Sequence, residues 1–109
     1  MRFYSLKSAP FKPVSHDPEL KKQVLVTDGF SCVKHLSHIA LKPGRTATRH
    51  FHKDAYEVFY CIRGKILFKV AGNEVPLARG DCLVVEPGEV HEIFSVVEET
   101  ELLYFHAAG

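Results

Sequence analysis

Between positions 24 and 106, apolar residues recur at every second position in short runs, and the runs stop at Gly, Pro, Asn or Asp. A period of two places alternate side chains on opposite faces of a pleated strand. The pattern predicts strands over 24–26, 32–41, 49–51, 56–62, 65–71, 74–77, 82–85, 91–96 and 102–106. The breaks between them include Asp28-Gly29, Lys42-Pro43-Gly44, Arg63-Gly64, Gly72-Asn73, Arg79-Gly80-Asp81 and Pro87-Gly88. Gly72-Asn73 has the composition of a hairpin turn, and Gly44, Gly64, Gly80 and Gly88 mark tight turns. No stretch of this region keeps a helical period. Many short strands punctuated in this way predict an all-β sandwich or barrel. Residues 1–23 carry three of the six prolines and little periodicity. They read as an extended arm, with room for one short strand, ahead of a β domain over 24–109. Asp17-Pro18-Glu19 could open a helical turn.

Several strands are apolar on both faces. Glu57, Phe59 and Cys61 share one side of their run, while Val58, Tyr60 and Ile62 share the other. A sheet wetted on one side alternates more cleanly, so the second face calls for a cover. The arm or a second copy of the chain can supply it, which predicts a homodimer.

Composition narrows the function only slightly. The 109 residues carry a net charge of +1 with histidines neutral, and the basic residues form no run. Neither a nucleic acid nor a membrane surface is expected as a partner. Three cysteines, Cys32, Cys61 and Cys82, lack the spacing of a zinc ribbon or a disulfide framework. With no apolar leader at the start, they suggest a cytoplasmic protein. Seven histidines are the unusual count, so their positions matter.

Three of the seven, with one glutamate, form a pattern. His50 and His52 are two apart, so on a strand both lean to one side, roughly 6–7 Å apart along the chain. After a short break, Glu57 restarts the alternation and can aim its carboxylate at the same point. Downstream, Pro87-Gly88 turns the chain so that His91 opens a strand and enters the same cavity as a fourth ligand. Three imidazoles and a carboxylate suit one divalent transition metal, Fe, Mn, Ni or Zn, without choosing among them.

The spacing Gly44-x5-His50-x-His52-x4-Glu57-x6-Gly64 resembles the first motif of the cupin superfamily without a gap. Gly80-Asp81 followed by Pro87-Gly88-x-x-His91 resembles the second. The resemblance covers roughly residues 44–95. It implies a jelly-roll barrel and a metal bound by His50, His52, Glu57 and His91. Glu86 stands where many cupins have a proline, and Ser95 where some have an asparagine. Neither is a ligand position, but Ser95 weakens any transfer of one enzyme's activity.

The resemblance further implies a small metal-dependent enzyme acting on a small polar metabolite, of dioxygenase, decarboxylase or isomerase type. Glu57 could then double as a proton shuttle. The alternative is a non-catalytic module that binds or senses a small ligand. Phe59, Cys61, Phe68 and Ile93 are the candidate pocket-lining residues. Cys61 has no base positioned to activate it. His16, His35, His38 and His106 read as ordinary. Of His35 and His38 at most one faces inward, and His38 is the one to watch. Arg45 and Arg49 read as solvated loop charges.

Overall fold

The alternation read from the sequence becomes ten strands in the computed structural model, which describes residues 1–108. They are β1 (Phe11–Val14), β2 (Asp17–Val26), β3 (Val33–Leu41), β4 (Ala47–His50), β5 (Ala55–Arg63), β6 (Lys65–Val70), β7 (Asn73–Ala78), β8 (Cys82–Val85), β9 (His91–Val96) and β10 (Thr100–Ala108). One antiparallel sheet has the order β1-β2-β3-β10-β5-β8, the other β4-β9-β6-β7. After β3 every connection except the β6–β7 hairpin crosses from one sheet to the other. The result is a jelly-roll sandwich, which hides most sheet edges without helices. No helix among the described residues is long and apolar enough to cross a membrane.

The inward residues of the two sheets interlock as the period of two requires. Ile39, Phe59, Leu102 and Tyr104 from the larger sheet meet Ile66, Phe68, Ile93 and Val96 from the smaller. Phe59 and Phe68 touch across the gap, ring centroids 4.8 Å apart. The core fills the middle and one end of the sandwich and leaves the other end to the polar cluster described below.

The N-terminal expectation needs correction. Residues 11–26 are no loose arm; they form the hairpin β1–β2, which extends the larger sheet by two strands, and position 24 falls inside β2. Asp17-Pro18-Glu19 starts β2 rather than a helical turn. The prolines hid this hairpin because they interrupt the ladder without ending it. The register shifts between Pro13 and Val14, and β1 is the edge strand, where a missing N–H is tolerated. A buried carboxylate then fixes the hairpin to the smaller sheet. Asp17 accepts hydrogen bonds from the Thr48 backbone N–H (2.8 Å) and the Thr48 hydroxyl. Burial alone would raise the Asp17 pKa, but these two donors hold it below the usual carboxylate value. Thr48 lies two residues before His50, so this contact also sets the start of the site.

Candidate metal centre

Three separate segments build the site. β4 and β9 pair so that His50 lies opposite His91. β5 brings Glu57 across from the other sheet. His52 differs from the expectation, because the strand ends at His50 and His52 lies in the loop 51–54. Its direction is set by a hydrogen bond from the Gly88 N–H to the His52 carbonyl, 2.8 Å. The Pro87-Gly88 turn therefore does two things: it starts the strand of His91 and it steadies the backbone of His52.

The donor atoms of His50, His52, Glu57 and His91 all lie within 4.8 Å of one another. Around Glu57 Oε1, the Nε2 atoms of His91, His52 and His50 stand at 2.7, 3.3 and 3.8 Å. The tautomers follow from the other ring nitrogens. His50 Nδ1–H donates to the Thr48 carbonyl (2.8 Å) and His91 Nδ1–H to the Glu89 carbonyl (3.0 Å). Each ring then faces an acceptor at both nitrogens, an arrangement that needs positive charge, a proton or a metal ion, between Nε2 and the carboxylate. The Nε2 atoms of His50 and His52 are buried and have no hydrogen-bond partner. Buried polar atoms are rarely left so. A set of imidazole nitrogens fixed by backbone carbonyls, facing one carboxylate, fits a divalent transition metal.

Burial would raise the Glu57 pKa, but hydrogen bonds with His106 and His91 and the nearby His50 ring hold it far below the usual carboxylate range. Burial lowers the His50 pKa, and its contacts with Glu57 and the Thr48 carbonyl more than reverse this, so it ends raised. For His52, burial outweighs the attraction of Glu57 and the pKa falls, which keeps the ring neutral.

Three more histidines belong to this region, where the sequence reading had none. His106 Nε2–H donates to Glu57 Oε2 at 2.7 Å. The ring of His16 lies 3.8 Å from that of His50. His35 packs edge-on against His106, centroids 4.7 Å apart. His38, the one singled out, faces the other way and pairs with Glu101 at 3.0 Å. Strand parity decides this. In the β3–β10 register His35 lies opposite His106 and His38 opposite Leu103, so His35 takes the inward side.

Burial, then the neighbouring His106, push the His35 pKa down to about 4 from 6.5. In the unfolded chain His35 binds a proton below about pH 6.5; in the folded chain only near pH 4. Between these values the unfolded state holds more protons, so stability rises with pH. Metal-free protein should gain about 1–2 kcal/mol from this group between pH 4.5 and 6.5, solvent screening at the half-buried ring being allowed for. Urea midpoints across that window check it. A His35→Leu variant should show a flatter slope; an identical slope would mean that His35 is not the group responsible.

Beside the cluster lies a cavity of about 50 Å³ whose walls are almost all apolar. Phe59, Phe68 and Ile93 line it, together with Val14 and Leu20 from the N-terminal hairpin. Cys61 does not. It is fully buried deeper in the sandwich, its thiol donating toward the Arg63 carbonyl at 3.4 Å, and burial raises its pKa. Arg45 and Arg49 lie outside this cavity as well.

A family model described as a cupin domain matches residues 37–106. The chain belongs to the cupin family. Among curated proteins, the tetracenomycin polyketide synthase protein TcmJ of Streptomyces glaucescens is 39% identical over 67 residues, 62% of this chain and 42% of that protein. An oxalate-binding protein of Thermotoga maritima is 32% identical over 57 residues, 52% of this chain and 47% of that one. The matched stretches thus span less than half of either relative. In three dimensions this cupin resembles a predicted oxalate decarboxylase from Thermotoga maritima, with a TM-score of 0.81, 19% identity and 99% and 100% of the two chains covered. It also resembles KdgF from Halomonas sp., with a TM-score of 0.83, 14% identity and 100% and 94% coverage. These structural likenesses establish the cupin fold.

Proposed function

We propose that the protein is a metal-dependent enzyme in which His50, His52, Glu57 and His91 hold one divalent transition metal, Fe, Mn, Ni or Zn, beside a small-molecule pocket. The observation that carries this reading is the convergence of three imidazole nitrogens and one carboxylate at the polar end of an otherwise apolar cavity. When bound, such a metal supplies Lewis acidity toward an oxygen ligand or an acidified water. The chain's own residues do the rest. Thr48 and Glu89 carbonyls fix the ring orientations, Phe59, Phe68 and Ile93 keep bulk water away, and the free space admits only a ligand of a few heavy atoms beyond its metal-binding end. Glu57 is better suited to holding charge than to shuttling a proton. Both of its oxygens are engaged, and its pKa lies far below that of a working base.

The test begins with elemental analysis of protein purified without chelator. Protein loaded with each of the four metals is then assayed for turnover of oxalate, of a simple 1,3-diketone standing for a polyketide, and of small sugars and hydroxy acids. Stoichiometric metal with turnover of any of these supports the reading. Protein that takes up no metal overturns it.

A second reading, a non-catalytic binding or sensing module, is favoured by one feature. Apart from His50, Glu57 and His91, only His16 and Tyr104 among the cavity's lining residues can titrate, and burial raises the Tyr104 pKa further. Metal-loaded protein that is stabilised by one of these compounds without consuming it would establish this reading. A ligand at one hundred times its Kd adds about 2.7 kcal/mol.

The proposal includes a homodimer working in the cytoplasm, where three free cysteines are at home. On the outer face of the larger sheet, Tyr60 and Val84 are exposed beside Val58, Leu103 and Phe105. The first ten residues pack near Val24, Leu25 and Thr27 instead, which leaves this face to a second copy. Light scattering should give twice the chain mass, and Tyr60→Glu should halve it. A wild-type monomer at micromolar concentration would refute the pairing.

A further inference from the structure

We infer that His106 is a positioning residue that makes Glu57 a one-oxygen ligand, by holding Oε2 so that only Oε1 faces the three ligand imidazoles. The inference rests on the reading that Glu57 binds metal. His106 and Glu57 are direct cross-strand partners in the β10–β5 register, so the backbone itself delivers one side chain to the other. The His106 Nε2–H meets Oε2 at 2.7 Å, while His91, His52 and His50 gather on Oε1. His106 thus meets the carboxylate oxygen that the three ligand imidazoles leave free, although its ring lies only 4.3 Å from that of His52.

A second layer fixes the His106 ring. His35 stands edge-on to it at 4.7 Å and is itself held to the Ser37 hydroxyl through Nδ1 at 2.9 Å. Inward-facing positions of β3 and β10 thus brace a carboxylate on β5. Glu57 is almost fully buried, so water is not at hand to replace a lost donor. Coordination through both oxygens would turn Oε2 away from His106 and break a charge-assisted hydrogen bond, one of the stronger kinds a protein makes. The geometry therefore favours a single Glu57 oxygen at the metal and keeps the remaining coordination positions free for a ligand.

The experiment uses the full chain with Co(II) and Mn(II) as probes. Affinity is measured by competition calorimetry and coordination by the visible spectrum of the Co(II) form. His106→Gln can still present an N–H near the Nε2 position and should bind within about threefold of wild type with an unchanged spectrum. His106→Ala and His106→Phe lack the donor; both should lose about ten- to a hundredfold in affinity, as replacements behind metal ligands do, and shift the Co(II) bands. The phenylalanine variant keeps the ring volume, so a packing defect in the alanine variant is told apart from a lost donor; far-UV circular dichroism of the metal-free forms checks folding. Wild-type affinity in both His106→Ala and His106→Phe overturns the inference and leaves the metal site standing. A His106→Gln variant as weak as His106→Ala, with altered bands, also overturns it and makes His106 a ligand. Wild-type protein that binds neither ion overturns the metal reading and this inference together.

Discussion

Replacing His91 by alanine is expected to abolish metal binding while leaving the sandwich folded. His91 is the ligand candidate with the least freedom. It is 1% exposed, its Nδ1–H is tied to the Glu89 carbonyl, and its Nε2 lies 2.7 Å from Glu57. Neither His50 nor His52 can take its place, because both are already directed at the same oxygen from their own segments. Affinity should fall by more than the ten- to hundredfold typical of changes behind the ligands. Folding should survive because the hydrophobic core, from Ile39 to Tyr104, does not depend on His91. The loss of one partner of Glu57 should cost about 1–3 kcal/mol, against roughly 5–15 kcal/mol for a domain. Metal stoichiometry after dialysis, read beside circular dichroism, checks both halves. His91→Ala protein that retains one metal per chain would remove His91 from the ligand set.

The contrast between His91 and His106 shows what a linear reading can and cannot reach. His50, His52, Glu57 and His91 sit at fixed distances from turn residues, so short-range spacing carries the information. His106 lies 49 positions from Glu57, and only the β10–β5 register brings them together. A signal was nevertheless present: Leu102, Tyr104 and His106 alternate on one face, and the first two are core residues. A histidine continuing a buried stripe faces inward. The same parity argument would have chosen His35 over His38, since Ser37, Ile39 and Leu41 line the inner side of β3. The boundaries of the later strands were legible because Gly and Pro end them sharply. The N-terminal hairpin was not, because Pro13 and Pro18 lie within its strands, and the contact that fixes it, Asp17 to Thr48, spans 31 residues. That hairpin supplies Val14, His16 and Leu20 to the cavity wall, so the segment read as an arm is part of the site.

Gly64→Ala should be among the most destabilising small substitutions in the chain, although Gly64 touches no ligand. It closes the first motif at the point where the chain leaves β5 in one sheet and enters β6 in the other. Its φ is +98°, a conformation that costs a residue with a Cβ on the order of 1–3 kcal/mol. An alanine Cβ would also collide with the Glu99 carbonyl and come within 2.6 Å of the Thr100 Cα. Both are backbone atoms of the turn into β10, where Thr100 is fully buried and its hydroxyl donates to the Glu98 carbonyl at 2.8 Å. Neither can move aside without disturbing the strand that carries His106. Strain and overlap together should cost about 3–5 kcal/mol. Gly44, at the other end of the motif, separates the two effects. Its φ is +89°, but nothing lies within 4 Å of the added carbon, so Gly44→Ala should cost only about 1 kcal/mol. Urea midpoints of the two variants measure the difference. Equal losses would mean that the β5–β6 turn does not pass against the start of β10, and that the motif glycines are kept for backbone conformation alone; unequal losses in the expected order tie the last glycine of the motif to the closure of the sandwich at the end of the β5–β10 ladder away from Glu57 and His106.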